Sequence, residues 1–177
     1  DVERVSPEAP VQVLRWEREA NRAGGAANVA LNLAALGCEV RLGGVVGHDA
    51  EGRWLLGALR RGGIDTAAVV KSTTRATTRK DRIIARGQQL LRVDREERQP
   101  LAARDERALL AELGRHRAAG IVVSDYAKGV LSRRVLARLL RPTGRARHRP
   151  RVLVDPKGSD FTRYRGADIL TPNEREL

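Results

Sequence analysis

Polar residues that could do chemistry follow four predicted strands, at the point where each strand ends. They lie in residues 47–49, 124–129, 155–158 and 171–176. In open α/β sheets, ligands bind beyond the carboxyl ends of the strands, so we expect these segments to meet. Three of the four place an Asp or Asn at or beside the strand end, and two add a lysine. Carboxylates and lysines on one edge suit a site that handles phosphate, hydroxyl groups and Mg²⁺.

The candidates in these segments also have structural interpretations. Asp125 and Asp155 are equally able to begin turns or to cap backbone groups. Asn173 and Glu176 have the spacing of a capping box, although the usual first residue of that motif is Ser or Thr. Taken alone, this spacing favours a structural role for the pair, whereas the two aspartates leave both interpretations open.

A second group of candidates opens a predicted helix. Gly24 and Gly25 let the backbone turn into this helix, and Gly37 is placed to end it. Small residues at a helix N-terminus also allow a ligand to approach the free N–H groups. Asn28, in the first turn, can reach such a ligand, whereas Asn32 is predicted to pack or to face solvent.

Hydrophobic periodicity places these residues in an α/β chain with an antiparallel insertion. Strands are predicted at residues 11–16, 39–46, 120–124, 151–155 and 167–171, and helices at residues 50–61, 103–117 and 132–141, with another beginning at Asn173. Residues 66–71, 77–86 and 88–94 alternate charged and apolar side chains, which predicts a two-faced antiparallel sheet. The other strands are short, apolar and separated by helices, which predicts a mostly parallel sheet with helices on both faces.

The formal charge of +12 raises the question of nucleic acid, because all but four of the 34 basic residues are arginines. The two Trp, two Tyr and one Phe are too few and too scattered for a base-stacking surface. The densest arginine run, residues 141–151, contains Pro142, Gly144 and Pro150 and is typical of a solvated loop. Nucleic acid is therefore an unfavoured partner.

The numbers of cysteines, histidines and methionines narrow the possible classes of protein and of site. The single Cys38 cannot form an internal disulfide, fits a reducing compartment and so a cytoplasmic protein, and is expected in the core. The three histidines show no zinc-ligand spacing. No run of 18 apolar residues predicts a membrane span. Because the chain contains no methionine, we expect it to be part of a longer protein.

Taken in order, these segments resemble the motifs of the ribokinase-like (phosphofructokinase-B type) carbohydrate kinases. The segments that look like family signatures are residues 24–37 (GGAANVALNLAALG), 43–65 (GGVVGHDAEGRWLLGALRRGGID) and 171–177 (TPNEREL). The segments that are similar to the heptose 7-phosphate kinases of lipopolysaccharide-core synthesis are residues 87–94 (GQQLLRVD), 122–129 (VVSDYAKG) and 155–174 (DPKGSDFTRYRGADILTPNE). The resemblance implies a three-layer α/β/α fold with a small antiparallel β lid, formed by strands at about residues 11–16 and 66–95.

The resemblance also implies roles for particular residues. Those implied to contact the sugar are Gly24, Gly25, Asn28 and Asp125. Those implied to hold the phosphates of Mg²⁺–ATP are Lys157, Asn173 and Glu176, with Glu176 acting on the metal through water. Lid residues that become candidates for the sugar phosphate are Lys80, Arg82, Gln88 and Arg92, each of which a solvated lid face also explains. The lid would close over the sugar and mediate a homodimer.

The reaction that the resemblance implies is transfer of the ATP γ-phosphoryl group to the anomeric hydroxyl of D-glycero-β-D-manno-heptose 7-phosphate. The family's catalytic base is an Asp in a Gly-Ala-Gly-Asp segment, which does not occur in the 177 residues. The family's first strand, with its sugar-binding Asp, would precede Asp1. We therefore expect a partial kinase domain that is inactive alone. The alternatives are another sugar kinase of this family and a basic nucleic-acid-binding or regulatory module on a degenerate kinase scaffold.

Overall fold

The chain alternates strands with helices in the computed structural model, which describes residues 2–5, 8, 12–115, 117–140, 149–174 and 176–177. The strands are β1 (Val2–Val5), β2 (Gln12–Leu14), β3 (Gly44–Gly47), β4 (Val69–Ser72), β5 (Arg79–Ala85), β6 (Gln88–Arg95), β7 (Gly120–Ser124), β8 (Arg151–Asp155) and β9 (Ile169–Leu170). The helices are α1 (Ala26–Ala35), α2 (Ala50–Arg61), α3 (Ala103–Arg115) and α4 (Arg133–Leu140), and a 3₁₀ turn spans Phe161–Tyr164. Most of the arginine-rich run, together with His116 and His148, lies outside the described residues.

The two predicted boundaries of α1 are confirmed. Gly25 caps the helix with φ of 55°, and Gly37, with φ of 87°, donates its N–H to the carbonyl of Ala34 at 2.9 Å. These left-handed conformations suit glycine, which lacks the Cβ that penalises them elsewhere. Ala27 and Ala30 then pack with Leu59 of α2 in one buried cluster.

One parallel sheet pairs β3 with β4, and a second contains β7, β8 and β9 in that order. Val152 and Val154 of β8 are fully buried and pack with Leu136 and Leu140 of α4 and with Tyr164. The apolar runs predicted the positions of both β7 and β8 correctly, but β7 is less buried than expected, with Val123 in the core and Val122 46% exposed. Their carboxyl ends, at residues 124 and 155, meet at one edge.

The insertion is an antiparallel hairpin of β5 and β6, which we term the lid. Its turn consists of Arg86 and Gly87, both with positive φ, which matches the twist of a two-residue hairpin. Lys80 pairs with Asp94 and Arg82 with Arg92, and a bulge follows between Ile83 and Ile84. A separate antiparallel pair joins β1 to β2.

The prediction that residues 66–71 belong to the antiparallel sheet is wrong, so the lid strands do not extend over all of residues 66–95. Residues 69–72 form β4, which pairs in parallel with β3. Ser72 is completely buried, and its hydroxyl donates to Asp105 of α3 at 2.5 Å. The exposed Lys71 produced the misleading alternation, because a strand exposed on one side alternates whether its partner is parallel or antiparallel.

Three smaller expectations also need correction. The strand predicted from residue 39 begins only at Gly44, and β9 covers only two residues of the predicted 167–171. Asn173 begins a turn, with its carbonyl accepting the N–H groups of Glu176 and Leu177, so the helix predicted to start there stays a prediction. Cys38 is exposed, because it lies in the turn that ends α1 rather than in the core. No described helix has the length and hydropathy needed to cross a bilayer.

Candidate active site at the strand ends

Asp125 is held rigidly at the end of β7. Its side chain is buried, with one oxygen accepting the N–H of Ala127 at 2.7 Å and the other accepting the hydroxyl of Tyr164 at 2.7 Å. Its own N–H donates to the carbonyl of Asp155 at 2.9 Å, which continues the pairing of β7 and β8. The guanidinium of Arg163 lies 3.6 Å from the Tyr164-bound oxygen. Asp125 therefore begins a turn, as one interpretation predicted, while its position at the sheet edge matches the other.

Lys157, Asn173 and Glu176 meet at the neighbouring strand ends. The ammonium of Lys157 lies 2.7 Å from one oxygen of Glu176, and the other oxygen accepts the N–H of Asn173 at 3.2 Å. The hydrogen bond from Lys157 lowers the pKa of Glu176, and the same contact raises the pKa of Lys157. The Asn173–Glu176 contact is the capping interaction predicted from the spacing, and it also carries Glu176 to the lysine.

A third carboxylate completes this edge. Burial, followed by the charge of Glu176, raises the pKa of Asp155. The described residues hold no cluster of three His, Cys, Asp or Glu side chains able to bind a metal directly. Mg²⁺ normally keeps several waters and uses one or two carboxylates together with substrate phosphates. The oxygen donors of Glu176 and Asp155, beside the cation of Lys157, fit that mode of binding.

The start of α1 lies against the Asp125 turn. A side chain added at Gly25 would contact the ring of Tyr126 at 3.3 Å, so glycine is needed both for its φ and for this approach. Gly24 has open space around it, and Asn28 is exposed. Gly25 therefore lies against the turn that follows Asp125, and the sugar contacts of Gly24, Gly25 and Asn28 stay a prediction.

The lid is fixed to the body by the segment at residues 47–52. Asp49 caps α2 through the N–H of Gly52 at 2.8 Å and also accepts the N–H and the hydroxyl of Thr77, both at 2.7 Å. Burial opposes ionisation of Asp49, but the hydrogen bonds from Thr77 and Gly52 lower its pKa overall. Asp49 thus has a structural role that the sequence did not indicate, which is to position the chain leading into β5.

The lid residues predicted for the sugar phosphate are not equivalent. The register places Lys80, Arg82 and Arg92 on one face of the hairpin, whereas Gln88 pairs with Ala85 beside the turn. Lys80 binds Asp94 at 2.6 Å, a hydrogen bond that raises the pKa of the lysine, and Arg92 lies 3.0 Å from the same carboxylate. Their phosphate role stays a prediction, with two of the cations already paired to acidic residues of the lid.

Both connections between lid and body contact the loop that follows Asp125. Before the lid, Arg75 donates to the carbonyls of Lys128, at 2.6 Å, and of Gln99. After the lid, Glu96 binds Lys128, Arg98 and Lys80, and these hydrogen bonds, led by that of Lys128, lower its pKa to about 2. The loop and the lid are therefore joined at two points.

Sequence reasoning did not identify Tyr164, Arg163, Glu96 or Arg75 as parts of this arrangement. Tyr164 lies in a 3₁₀ turn that is too short for a periodic pattern, and Arg163 is one of many arginines. Only the occurrence of a tyrosine in a polar segment could have pointed to a buried hydroxyl that needs a partner.

Comparison with known proteins agrees with this geometry. The model of the pfkB family carbohydrate kinases matches residues 1–177. The chain is 51% identical to the bifunctional protein HldE of Trichlorobacter lovleyi and 49% identical to that of Geobacter sulfurreducens, over 98% of this chain. These alignments cover 35% and 36% of the two relatives, so the chain spans about a third of their length.

Solved structures confirm the predicted ribokinase-like fold. The tetrameric inhibited form of phosphofructokinase-2 from Escherichia coli matches with a TM-score of 0.65 at 20% identity, over 99% of this chain and 57% of that one. A PfkB protein from Polaromonas sp. JS666 matches with a TM-score of 0.57 at 23% identity, over 87% and 56% of the two chains. The chain therefore belongs to the pfkB family of carbohydrate kinases.

Proposed function

We propose that the full-length protein containing this chain transfers the γ-phosphoryl group of ATP to O1 of D-glycero-β-D-manno-heptose 7-phosphate. The product would be the 1,7-bisphosphate, an intermediate of ADP-heptose and lipopolysaccharide-core biosynthesis made in the cytoplasm. The observation that carries the proposal is the convergence of Asp125, Lys157 and Glu176 at one sheet edge. Identity of about half the residues with the HldE proteins supports the choice of substrate.

The residues at this edge divide the two substrates between them. Asp125, together with Gly25 and Asn28 at the start of α1, would hold sugar hydroxyl groups. A carboxylate oriented by two hydrogen-bond donors, as Asp125 is, presents its remaining lone pairs in a defined direction. Lys157 would contact ATP phosphates through its half-exposed ammonium group. Mg²⁺ bound with ATP would neutralise phosphate charge near Glu176. Holding both substrates in line lowers the barrier by positioning and electrostatics.

The test is turnover by the full-length protein with ATP and a panel of sugars. The panel contains heptose 7-phosphate, fructose 6-phosphate and ribose, and product formation is followed by ³¹P nuclear magnetic resonance. We expect a product phosphorylated at both O1 and O7, with kcat/KM for the heptose highest in the panel. Preferential phosphorylation of another sugar would favour the other sugar kinases of this family. Salt-dependent binding of duplex DNA without any sugar turnover would favour the nucleic-acid alternative.

We also propose that the protein is a homodimer joined through the lid. Leu91 and Val93 lie two positions apart on β6 and so share one face of the hairpin, where they are 53% and 49% exposed. The facing Ile83 adds to the same apolar surface. Apolar patches of this kind on one face of a sheet commonly mark protein interfaces, and a second lid is the partner that the resemblance implies.

A further inference from the structure

The hydroxyl of Tyr164 joins the two loops that carry the proposed substrate contacts. It donates to Asp125 at 2.7 Å and accepts the backbone N–H of Lys157 at 3.2 Å. One side of this link is the loop after β7, and the other is the loop after β8. Among the described residues, the strand ends are also joined directly by the N–H of Asp125 and the carbonyl of Asp155.

Packing of the Tyr164 ring in the core fixes the position of its hydroxyl. The residue is 1% exposed and belongs to the core cluster with Val152, Val154 and Leu136. The guanidinium of Arg163 lies 5.3 Å from the ring centroid, a cation–π distance. The hydroxyl is therefore a fixed point, supported by the core and set between two loops.

Its surroundings keep this hydroxyl protonated at neutral pH. Burial, followed by the hydrogen bond to Asp125, raises the pKa of Tyr164 to about 12. A phenol of this acidity stays protonated at neutral pH, so it keeps donating to the carboxylate throughout a reaction. Its acceptor lone pair likewise remains available to the N–H of Lys157.

We propose that Tyr164 is a positioning residue, which sets the spacing between the sugar carboxylate Asp125 and the phosphate-side loop at Lys157. This inference rests on the proposed function, because it assigns sugar and ATP phosphates to the two loops. Loss of the hydroxyl leaves one oxygen of Asp125 with only the guanidinium of Arg163, at 3.6 Å, and removes the acceptor of the Lys157 N–H. Misplacement of reacting groups by about 1 Å can lower a rate by about 100-fold.

The test substitutes Tyr164→Phe in the full-length protein, which keeps the ring in the core and removes the hydroxyl. We expect kcat to fall by about 10- to 100-fold, with the KM values for sugar phosphate and ATP changing less, because each substrate keeps its direct contacts. The panel of sugars is used, so the effect is measured on whichever sugar the wild type phosphorylates. A wild type that phosphorylates none of them would overturn both proposals.

Ser132→Ala is the matched control. The Ser132 hydroxyl also donates to a carboxylate, that of Glu106 at 2.5 Å, and accepts a backbone N–H, that of Val135 at 3.2 Å, but it caps α4 outside the proposed site. We expect this variant to melt at a lower temperature with kcat unchanged. If the wild type is active and both variants keep the wild-type kcat, the role of Tyr164 is overturned and the proposed function still stands.

Hydrogen exchange of the wild type provides a second measurement, which holds even if Tyr164→Phe does not fold. Sugar phosphate added without ATP should slow exchange at residues 125–129 and also at the Lys157 amide, since the hydroxyl connects the two. Protection confined to residues 125–129 would contradict the coupling.

Discussion

Asp125 and Glu176 are held at the same sheet edge by different partners. Asp125 accepts from a backbone N–H and a phenol and has the guanidinium of Arg163 at 3.6 Å, whereas Glu176 is bonded directly to the ammonium of Lys157 at 2.7 Å. A direct bond to a mobile ammonium leaves a carboxylate able to change cations, whereas neutral donors orient it without cancelling its charge. Asp125 is thus the better fixed of the two, and Glu176 is the one whose partner could exchange for an incoming cation.

At the scale of single residues, Glu96 is expected to govern acid resistance. Its pKa falls from an ordinary value of 4.5 to about 2 in the folded chain, chiefly through Lys128. A carboxylate with a lowered pKa stabilises the fold above its unfolded pKa and loses that contribution as the pH falls toward 2. The difference in melting temperature between wild type and Glu96→Gln should therefore be largest above pH 4.5 and should shrink toward pH 2.

The control for that prediction is Glu97→Gln, which removes the same charge from the exposed neighbouring side chain. It should leave the melting temperature close to that of the wild type across the same pH range. A Glu96→Gln variant that tracks the wild type at every pH would show that the ion pairs around Glu96 contribute nothing measurable, as many surface pairs do.

Contacts between residues close in sequence could be predicted, whereas contacts between distant residues could not. Asn173 and Glu176 could be paired from their spacing, because a cap depends on neighbours in sequence. The hydroxyl of Tyr164 and the carboxylate of Asp125 are 39 residues apart, and no local pattern brings them together. Long-range hydrogen bonds of this kind follow from the packing of β7 and β8, which had to be known first.

At the scale of elements, Gly129 is expected to fix the loop after β7 against the segment that leaves the lid. Its φ is 74°, and an added Cβ would overlap the carbonyl of Gln99 and lie 3.0 Å from that of Arg98. Gly129→Ala should therefore lower the melting temperature and kcat/KM of the full-length protein together, because the loop must move.

Gly87→Ala is the matched substitution for Gly129→Ala. Gly87 has φ of 76° in the lid turn, with no atom within 4 Å of an added Cβ. Its substitution therefore measures only the cost of placing alanine in a left-handed conformation, about 1–2 kcal/mol, without a steric overlap. Equal losses of stability in the two variants would show that the contact with Gln99 is unimportant.

The elements themselves were largely predictable. Strands β7 and β8 followed from apolar runs, and α2 and α4 from helical periodicity. The structure adds that Asp49 caps α2. The direction in which β4 pairs was not predictable, since parallel pairing with β3 depends on a crossover through α2 that the strand's own residues do not encode.

At the scale of the whole molecule, the lid surface gives the prediction for assembly. Leu91→Asp in the full-length protein should convert a dimer to a monomer in light scattering, because it places a charge in an apolar interface. Gln89→Asp adds the same charge next to the bulge, where Gln89 pairs with Ile84, and should leave the dimer intact. A wild type that is monomeric at all concentrations would contradict assembly through the lid.

The two lid anchors differ in how they respond to sequence divergence. Arg75 binds the backbone carbonyl of Lys128, a group that every amino acid supplies, so replacing residue 128 leaves that anchor intact. Glu96 binds the side chain of Lys128 and requires a cation there. A substitution of Lys128 would thus weaken the attachment of the chain that leaves the lid, while the chain that enters the lid stays attached. A compensating substitution is therefore expected at Glu96 rather than at Arg75.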